Sequence, residues 1–349
     1  MHNRRIDSTA APSPRTRVVF VGGFLAAGKT TAIAAATQLL RARGLRVAAL
    51  TNDQWSGLVD TATLHAAGAD VAEVAGGCFC CRFSELVEAA DVLLAKTPDV
   101  LFCEPAGSCT DIVATVAEPF ARFYGDAIEL APVSVIIDPR QFALRGSDDV
   151  GYLYEQQLGE ADLVVINKID LATPAQREAV ALASHDRERV EIVASRGEGI
   201  EEWLALLARG ASCGHPLRTL EYDRYAHGEA LLAWLNATAT IDGPHDPRAV
   251  AERLIRRLAT AQVAHVKLSV GAVRAHATAT AAPVVIGEAA ESMRSLVTVN
   301  ARVRGDAAAL HDVVRDALHI VHARVRELQA FHPSYPRPEN PNPYLEAKP

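Results

Sequence analysis

The stretch RVVFVGGFLAAGKTT, residues 17–31, indicates the fold of this chain. It begins with an apolar run that is typical of a buried strand, and it ends where a helical pattern begins. Between the two it matches G-x-x-x-x-G-K-[ST] at Gly23, Gly28, Lys29 and Thr30. A glycine-rich loop between a strand and a helix is typical of phosphate-binding loops, because the N–H groups of loop and helix point at the anion.

Each part of this motif predicts a role toward a bound nucleotide. Lys29 is expected to reach the β- and γ-phosphates, and the hydroxyl of Thr30 is expected to ligate Mg²⁺. Thr31 is placed to contact the α-phosphate. The residues expected to present groups to the phosphates are therefore Gly23, Ala27, Gly28, Lys29, Thr30 and Thr31.

The alternation of strand and helix continues outward from this loop through about the first 210 residues. A helix is predicted over 29–43. Further strands are predicted at 45–50, 99–104, 133–138, 163–167 and 190–195. Continuous apolar strands with helices between them are typical of a parallel sheet that is covered on both faces. We therefore predict an α/β fold, a P-loop NTPase domain with a mostly parallel sheet.

The pattern changes after about residue 215. Residues 264–270 and 296–303 alternate like half-buried strands, whereas 247–258 and 306–325 have helical spacing and 231–241 mix both signals. This predicts a smaller C-terminal α+β domain, ferredoxin-like with a split βαβ. The predicted organisation is a disordered tail 1–15, a P-loop GTPase domain 16–215, an α+β domain 216–330 and a tail 331–349 too proline-rich to pack regularly.

The sequence NKID at the end of the predicted strand 163–167 indicates which base is bound. Asp170 can accept hydrogen bonds from N1–H and the 2-amino group of guanine, and adenine offers neither. Asn167 is expected to brace the loop, and the Lys168 stem to stack on the base. About 140 residues after a phosphate loop, this motif predicts GTP as the nucleotide.

A carboxylate stands between the two nucleotide motifs, at the end of the strand VLFCE. Glu104 precedes Pro105, and a residue before proline favours an extended backbone, so Glu104 is expected to end the strand. From there it could orient Mg²⁺ through a water, or orient the attacking water. Gly107 could donate its N–H to the γ-phosphate and form a switch that relaxes on hydrolysis.

The sequence GGCFCC, residues 76–81, places Cys78, Cys80 and Cys81 within four positions. Three thiolates at this spacing predict a site for Zn²⁺ or another transition metal such as Co²⁺. Three protein ligands leave one position open, which suits a metal that is passed on. The further ligands considered are Glu73, Asp53 and Cys109. The alternatives are a buried turn with packed cysteines and a redox pair formed by C-x-x-C.

Composition excludes some classes of function. The net charge is −7 without a long basic run, which argues against nucleic acid as the main partner. No apolar run approaches the roughly 20 residues that span a bilayer. The first 17 residues lack the apolar segment of a signal peptide. We therefore expect a cytoplasmic protein with no membrane association, in which clustered cysteines are more often metal-binding than disulfide-bonded.

The motifs GGFLAAGKTT, EVAGGCFCC, CEPAG and NKID occur in this order and together resemble the CobW-type family of P-loop GTPases. The resemblance implies a GTP-hydrolysing metallochaperone that binds Zn²⁺ or Co²⁺ at Cys78, Cys80 and Cys81 and delivers it to a metalloprotein client. It implies GTP and Mg²⁺ at Gly23 to Thr31. One alternative is a G-protein chaperone for a corrinoid or other metalloenzyme without metal transfer, and another is a metal-sensing binding protein.

Hydrolysis is expected to be slow, on the order of 10⁻⁴ to 10⁻² per second, because the sequence places no arginine as a finger within the chain. Lys29, Thr30, Glu104 and Gly107 are the residues expected to carry the reaction. A homodimer or the client could supply the missing cation.

Overall fold

The structure of the protein is a computed structural model that describes residues 15–53, 59–210, 212–259 and 263–346. The predicted disordered tail 1–15 therefore lies, apart from its last residue, outside the described residues. In the described part, no helix is both long enough and apolar enough to cross a bilayer.

The first part of the chain builds one parallel sheet of eight strands in the order β3-β2-β4-β1-β6-β7-β8, with β5 also paired to β1. Because β1 lies at the centre, its carboxyl end delivers the phosphate loop to the middle of the sheet edge. The predicted α/β fold with a parallel sheet is thus confirmed. The strands are β1 Thr16–Gly22, β2 Val47–Asp53, β3 Asp70–Ala75, β4 Val100–Glu104, β5 Ile128–Leu130, β6 Ser134–Ile137, β7 Leu163–Asn167 and β8 Glu188–Ile192.

Helices lie on both faces of this sheet, and their small or apolar faces form its core. Ala32 and Ala36 of the first helix are fully buried, which brings that helix close to the strands. Trp203 fills the far side of the same layer and donates its indole N–H to Ser134 Oγ at 3.0 Å. The helices are α1 Lys29–Ala42, α2 Val59–Ala67, α3 Phe83–Leu94, α4 Glu118–Tyr124, α5 Pro139–Ala143, α6 Asp149–Glu160, α7 Pro174–Ala183 and α8 Ile200–Leu207.

Several details of this sheet differ from the sequence prediction, and the first is that β2 spans Val47–Asp53 and not 45–50. Strand β8 ends at Ile192, not at 195, because Ala194–Arg196 form a short 3₁₀ turn. Strand β3 was not predicted, since it pairs only with β2 at the sheet edge and its partly exposed residues break the apolar run. Strand β5 was also missed, because three residues are too few to show a period.

The second part of the chain builds an antiparallel sheet of six strands in the order β12-β11-β10-β13-β9-β14. Without the hairpin β11–β12, the order is that of a ferredoxin-like βαββαβ unit, as predicted. The ambiguous stretch 231–241 is strand, not helix. The elements are α9 Tyr222–Ala230, β9 Leu232–His245, α10 Pro247–Leu258, β10 Val263–Val270, β11 Val273–Thr278, β12 Ala281–Ile286, β13 Ser292–Arg304, α11 Ala307–Ile320 and β14 Arg324–Phe331.

The two faces of the second sheet have different partners. Val266, Leu268 and their neighbours on one face pack with α10 and α11 into an apolar core. Half-buried strands were predicted at 264–270 and 296–303, but at the centre of the sheet the polar face is buried as well. There Asn300 and Arg302 are 9% and 3% exposed, because this face lies against the phosphate loop.

The proline-rich tail forms no helix or strand in residues 332–346, and hydrogen bonds to the rest of the chain hold it in place. The N–H of Glu339 donates to Cys80 O at 2.9 Å, and its carboxylate accepts from the Ser84 hydroxyl at 2.6 Å. Asn342 donates to Asp111 Oδ1 at 2.6 Å. We call residues 332–346 the C-terminal strap. The predicted domain boundaries stay predictions.

Candidate nucleotide and metal sites

The phosphate loop has a backbone that only glycine adopts easily at two of its positions. Gly23 has φ 127°, and a Cβ there would lie 2.2 Å from the backbone oxygen of Ile136. Gly28 has φ 101°, and its Cβ would lie 2.3 Å from Asn167 Nδ2. The loop thereby brings its N–H groups to the start of α1 without side chains in the way. This conformation fits a phosphate cradle.

Lys29 and Thr30 follow the loop and are both buried at the start of α1. The Lys29 ammonium donates to Gly23 O at 2.9 Å, so it folds back over the loop where phosphates are expected. Burial lowers the pKa of Lys29, and the nearby Glu104 carboxylate opposes that shift. The Thr30 hydroxyl donates to Glu104 Oε1 at 2.9 Å.

Glu104 ends β4 as predicted and is 7% exposed. Its second oxygen, Oε2, is buried and has no hydrogen-bond partner among the residues that the structure describes. Burial raises the pKa of Glu104 to about 7. A hydroxyl beside a carboxylate with an unused oxygen is a donor set that suits a hard cation. The residues present therefore fit Mg²⁺.

The predicted base-reading loop lies beside the phosphate loop and is tied to it. Asn167 Nδ2 donates to Ala27 O at 2.8 Å, and Lys168 Nζ donates to Ala26 O at 2.7 Å. Lys168 has φ 59°, which turns the chain sharply after β7. Asp170 accepts a hydrogen bond from Arg196 at 3.0 Å. The two motifs are thus held as one unit.

The three cysteines predicted to bind metal are brought together. Their sulfur atoms all lie within 4.8 Å of one another, with Cys78 Sγ 2.8 Å from Cys80 Sγ and Cys80 Sγ 3.7 Å from Cys81 Sγ. Two sulfurs bound at about 2.3 Å to one tetrahedral zinc would be roughly 3.8 Å apart. A bound ion would therefore need Cys78 and Cys80 to separate by about 1 Å.

Cys109 is the further ligand that the structure places nearest the cluster. It lines the same cleft as Cys78 and Cys81, although it falls outside the group of three sulfurs that all lie within 4.8 Å of one another. Hydrogen bonds from Cys109, and then from the other two thiols of the cluster, lower the pKa of Cys78 well below its usual value. Glu73 lies on β3 and is not in the cluster, and the Asp53 side chain lies outside the described residues.

Asn52, at the end of β2, links the cysteine loop to the loop that follows Glu104. Its Nδ2 donates to Gly77 O at 2.6 Å, and its Oδ1 accepts from Phe79 N at 3.0 Å and from Ala106 N at 3.4 Å. Asn52 is 7% exposed. One amide therefore joins the backbone around the thiols to the backbone beside the expected γ-phosphate.

The loop after Glu104 is also fastened from its other side. Gln157 donates to the carbonyls of Gly107 and Cys109 at 3.1 and 2.8 Å, and Ser108 donates to Glu229 of α9 at 2.6 Å. Burial raises the pKa of Glu229 to about 8. The C-terminal strap covers the thiols, since the N–H of Arg337 donates to Cys81 Sγ at 3.1 Å.

Comparison with known proteins gives the family. The model described as CobW/HypB/UreG, nucleotide-binding domain, matches residues 17–193. This chain belongs to the CobW/HypB/UreG family. The predicted resemblance to CobW-type P-loop GTPases is thereby confirmed, and the matched range contains the phosphate loop, the cysteine cluster, Glu104 and NKID.

Curated relatives of this CobW/HypB/UreG protein include chaperones and an accessory protein. The zinc chaperone YeiR of Escherichia coli (strain K12) is 33% identical over 181 residues, 47% of this chain and 50% of YeiR. The zinc chaperone CobW of Pseudomonas aeruginosa is 32% identical over 216 residues, 52% of this chain and 57% of CobW. The matches thus span about half the length of these chaperones.

Two further proteins are similar to part of this chain. The urease accessory protein UreG 2 of Bradyrhizobium sp. is 29% identical over 231 residues, 59% of this chain and 96% of that protein. The solved hydrogenase maturation factor HypB of Archaeoglobus fulgidus superposes with a TM-score of 0.40 at 20% identity, covering 55% of this chain and 88% of that one.

Sequence reasoning missed several residues at the two sites of this CobW/HypB/UreG protein. Asn52 was overlooked because a single asparagine after a strand is a common turn signal. Asp60 lies in the first turn of α2 and pairs with Lys267 of β10, more than two hundred residues away. No local pattern could reveal that pair, because only the packing of the second sheet on the first creates it.

Proposed function

We propose that this protein is a GTP-hydrolysing metallochaperone that binds Zn²⁺ or Co²⁺ at its cysteine cluster and delivers it to a metalloprotein client. The observation that carries the proposal is the set of hydrogen bonds made by Asn52. These hydrogen bonds connect residues 77–79, beside the thiols, to residue 106 in the loop at the expected γ-phosphate. Movement of one loop should therefore move the other. The zinc chaperones YeiR and CobW support the choice of metal.

In this proposal the nucleotide is held by the residues of the two motifs. Gly23, Ala27 and Gly28 present backbone groups to the phosphates, Lys29 contacts the β- and γ-phosphates, and Thr31 contacts the α-phosphate. The guanine is selected by Asp170, with Asn167 bracing the loop and Lys168 along the base. Mg²⁺, held by Thr30 and oriented by Glu104, would neutralise charge on the β- and γ-phosphates when bound.

Hydrolysis forms a bond between a water oxygen and the γ-phosphorus and breaks the bond to the oxygen that bridges to the β-phosphate. Glu104 orients the water or the cation, and the N–H of Gly107 donates to the γ-phosphate. Loss of that phosphate releases the loop 105–109, which carries Cys109. A loop that relaxes on phosphate release is a known form of switch.

For the metal, Cys78, Cys80 and Cys81 supply three thiolates and Cys109 supplies the fourth in one state of the switch. Four thiolates form a closed zinc site, whereas three leave a position for a ligand from the client. Release of loop 105–109 would withdraw Cys109 and open the site. GTP binding and metal retention are therefore coupled, and the coupling must be reciprocal.

The test is a titration of Zn²⁺ and Co²⁺ into reduced, anaerobic protein with a GTP analogue, with GDP and without nucleotide. We expect affinities that differ at least about fivefold between nucleotide states. Replacing Cys78, Cys80 and Cys81 by Ser should abolish tight binding. Cys103→Ala is the control, because it removes a buried thiol of β4 that is not one of the three clustered sulfurs.

Asn52→Ala should keep metal binding but lose most of its dependence on nucleotide. Equal affinity in all three nucleotide states of the unmodified protein would refute the proposal. Absence of metal binding together with GTP-dependent activation of a metalloenzyme would favour a G-protein chaperone that transfers no metal.

A further inference from the structure

The second sheet closes over the phosphate loop with a row of nitrogen-bearing side chains. One cleft is lined by Lys29 of α1 and Glu104 of β4, and by His265, Lys267 and Arg302 from the second sheet. Such a cleft between two sheets is where a nucleotide's terminal phosphate would meet both parts of the chain.

The alternation of β10 fixes which side chains reach this cleft. Val266 and Leu268 point into the apolar core with α10 and α11, so His265 and Lys267 point the other way. Lys267 is opposite Asn300 of β13, which lines the same cleft. The position of Lys267 is therefore set by a regular, paired strand and not by a loop.

The three basic side chains that the second sheet contributes to this cleft have different partners and charges. The Arg302 guanidinium lies 4.0 Å from the centre of the Trp234 ring and donates to Leu235 O at 3.1 Å. Burial lowers the pKa of His265 well below its usual value, so His265 is neutral. Lys267 forms an ion pair with Asp60 at the start of α2, and its side chain is partly exposed. Of these three groups, Lys267 is the cation on a flexible stem that can change partners.

Asp60 connects Lys267 to the nucleotide site. Burial opposes ionisation of Asp60, but the ion pair with Lys267 lowers its pKa. Asp60 lines the same cleft as Lys29, which is expected at the β- and γ-phosphates. A terminal phosphate bound there would compete with Asp60 for the Lys267 ammonium, and GDP would not.

We propose that Lys267 contacts the terminal phosphate of bound GTP and stabilises the negative charge that develops there during hydrolysis. This rests on the proposed GTPase function and supplies, from within the chain, the cation that the sequence did not reveal. The lysine acts as a fixed charge and exchanges no proton. With GDP, Lys267 returns to Asp60, so the contact between the second sheet and α2 reports which nucleotide is bound.

The experiment compares the unmodified protein with Lys267→Ala, Lys267→Arg and the P-loop variant Lys29→Ala. Arg274→Ala is the matched control, because Arg274 donates from the neighbouring strand β11 to Thr63 of α2 at 3.2 Å and does not line the cleft. The readouts are kcat and KM for GTP, and the dissociation constants for GDP and for a non-hydrolysable GTP analogue.

Lys267→Ala should lower kcat at least about 100-fold, as expected for loss of one charge-stabilising group. It should raise the dissociation constant of the GTP analogue at least tenfold more than that of GDP. Lys267→Arg should restore most of both kcat and analogue affinity. Arg274→Ala should leave the analogue-to-GDP ratio unchanged. An unchanged ratio in Lys267→Ala, or equal weakening of both nucleotides, would overturn the inference and leave Lys267 a structural ion pair.

The affinity ratio also distinguishes failure of the proposed GTPase function from failure of the proposed Lys267 contact. If the unmodified protein hydrolyses no more GTP than Lys29→Ala does, the proposed GTPase function fails, yet the ratio still reports whether Lys267 contacts the terminal phosphate. If hydrolysis depends on Lys29 and not on Lys267, the GTPase function stands and this inference fails.

Discussion

Replacing Gly28 by alanine tests whether the phosphate loop and the base-reading loop are one mechanical unit. The backbone at Gly28 has φ 101° and ψ 25°, and left-handed backbone costs a non-glycine residue roughly 1–2 kcal/mol. The new Cβ would lie 2.3 Å from Asn167 Nδ2, so the Asn167 amide has to move.

Moving the Asn167 amide breaks hydrogen bonds and so lowers the free energy of unfolding further. Asn167 is buried and makes hydrogen bonds to Ala27 O at 2.8 Å, from Lys168 N at 2.8 Å and from Ala194 N at 3.1 Å. At about 1 kcal/mol each, losing one to three of them adds about 1–3 kcal/mol to the backbone cost. We therefore expect Gly28→Ala to lower the free energy of unfolding by about 2–5 kcal/mol.

The assay is urea unfolding followed by tryptophan fluorescence, with two comparisons. Gly44→Ala is the matched control, because Gly44 has φ 83° and no atom within 4 Å of its added Cβ, so it should lose only about 1–2 kcal/mol. Combining Gly28→Ala with Asn167→Ala removes the clash, and the double variant should be about 1–3 kcal/mol more stable than additivity predicts. Additive costs, or a Gly28→Ala cost equal to that of Gly44→Ala, would refute this reasoning.

Three further outcomes are expected. Trp203→Ala should lower the free energy of unfolding by about 3–5 kcal/mol, because the indole is fully buried in the core, and urea midpoints measure the loss. Burial raises the pKa of Glu160 from 4.5 to about 8, so the folded protein holds a proton that the unfolded chain releases. Stability should therefore fall as pH rises between about 5 and 8, and Glu160→Gln should flatten that fall relative to the unmodified protein. Deleting residues 333–349 removes Ser334 to Arg337 from the cleft that they line with Cys81. The uncovered thiol should react several-fold faster with a reagent such as DTNB, although loss of the Arg337 N–H also raises its pKa; an unchanged rate would mean that the strap does not shield Cys81.

Much of the first sheet could be predicted from local sequence. A fully buried parallel strand is an unbroken apolar run, which is why β1, β4, β6 and β7 were recognised. The edge strand β3 was not recognised, because partial exposure lets polar residues into the run. Functional motifs are easier to predict from sequence than edge strands, because their chemistry requires fixed residue types at fixed spacing.

In the second sheet, the alternation of apolar and polar residues does not predict which face is buried. Its strands alternate as if one face met water, and the position of Lys267, Asn300 and Arg302 on the polar face follows from that period. What covers that face does not follow, because it depends on how two sheets pack. Here the phosphate loop lies against that face, so these polar side chains line a cleft instead of meeting solvent.

The sequence by itself determined the parallel P-loop architecture, the two nucleotide motifs and the three thiols, because each depends on residues within a few positions of one another. Only the tertiary structure decided that Asn52 joins the thiol loop to the loop after Glu104, that Cys109 lies beside Cys78, and that the second sheet places Lys267 against Asp60. These contacts join residues far apart in the chain. Their geometry is fixed by sheet order and packing, which no local spacing encodes.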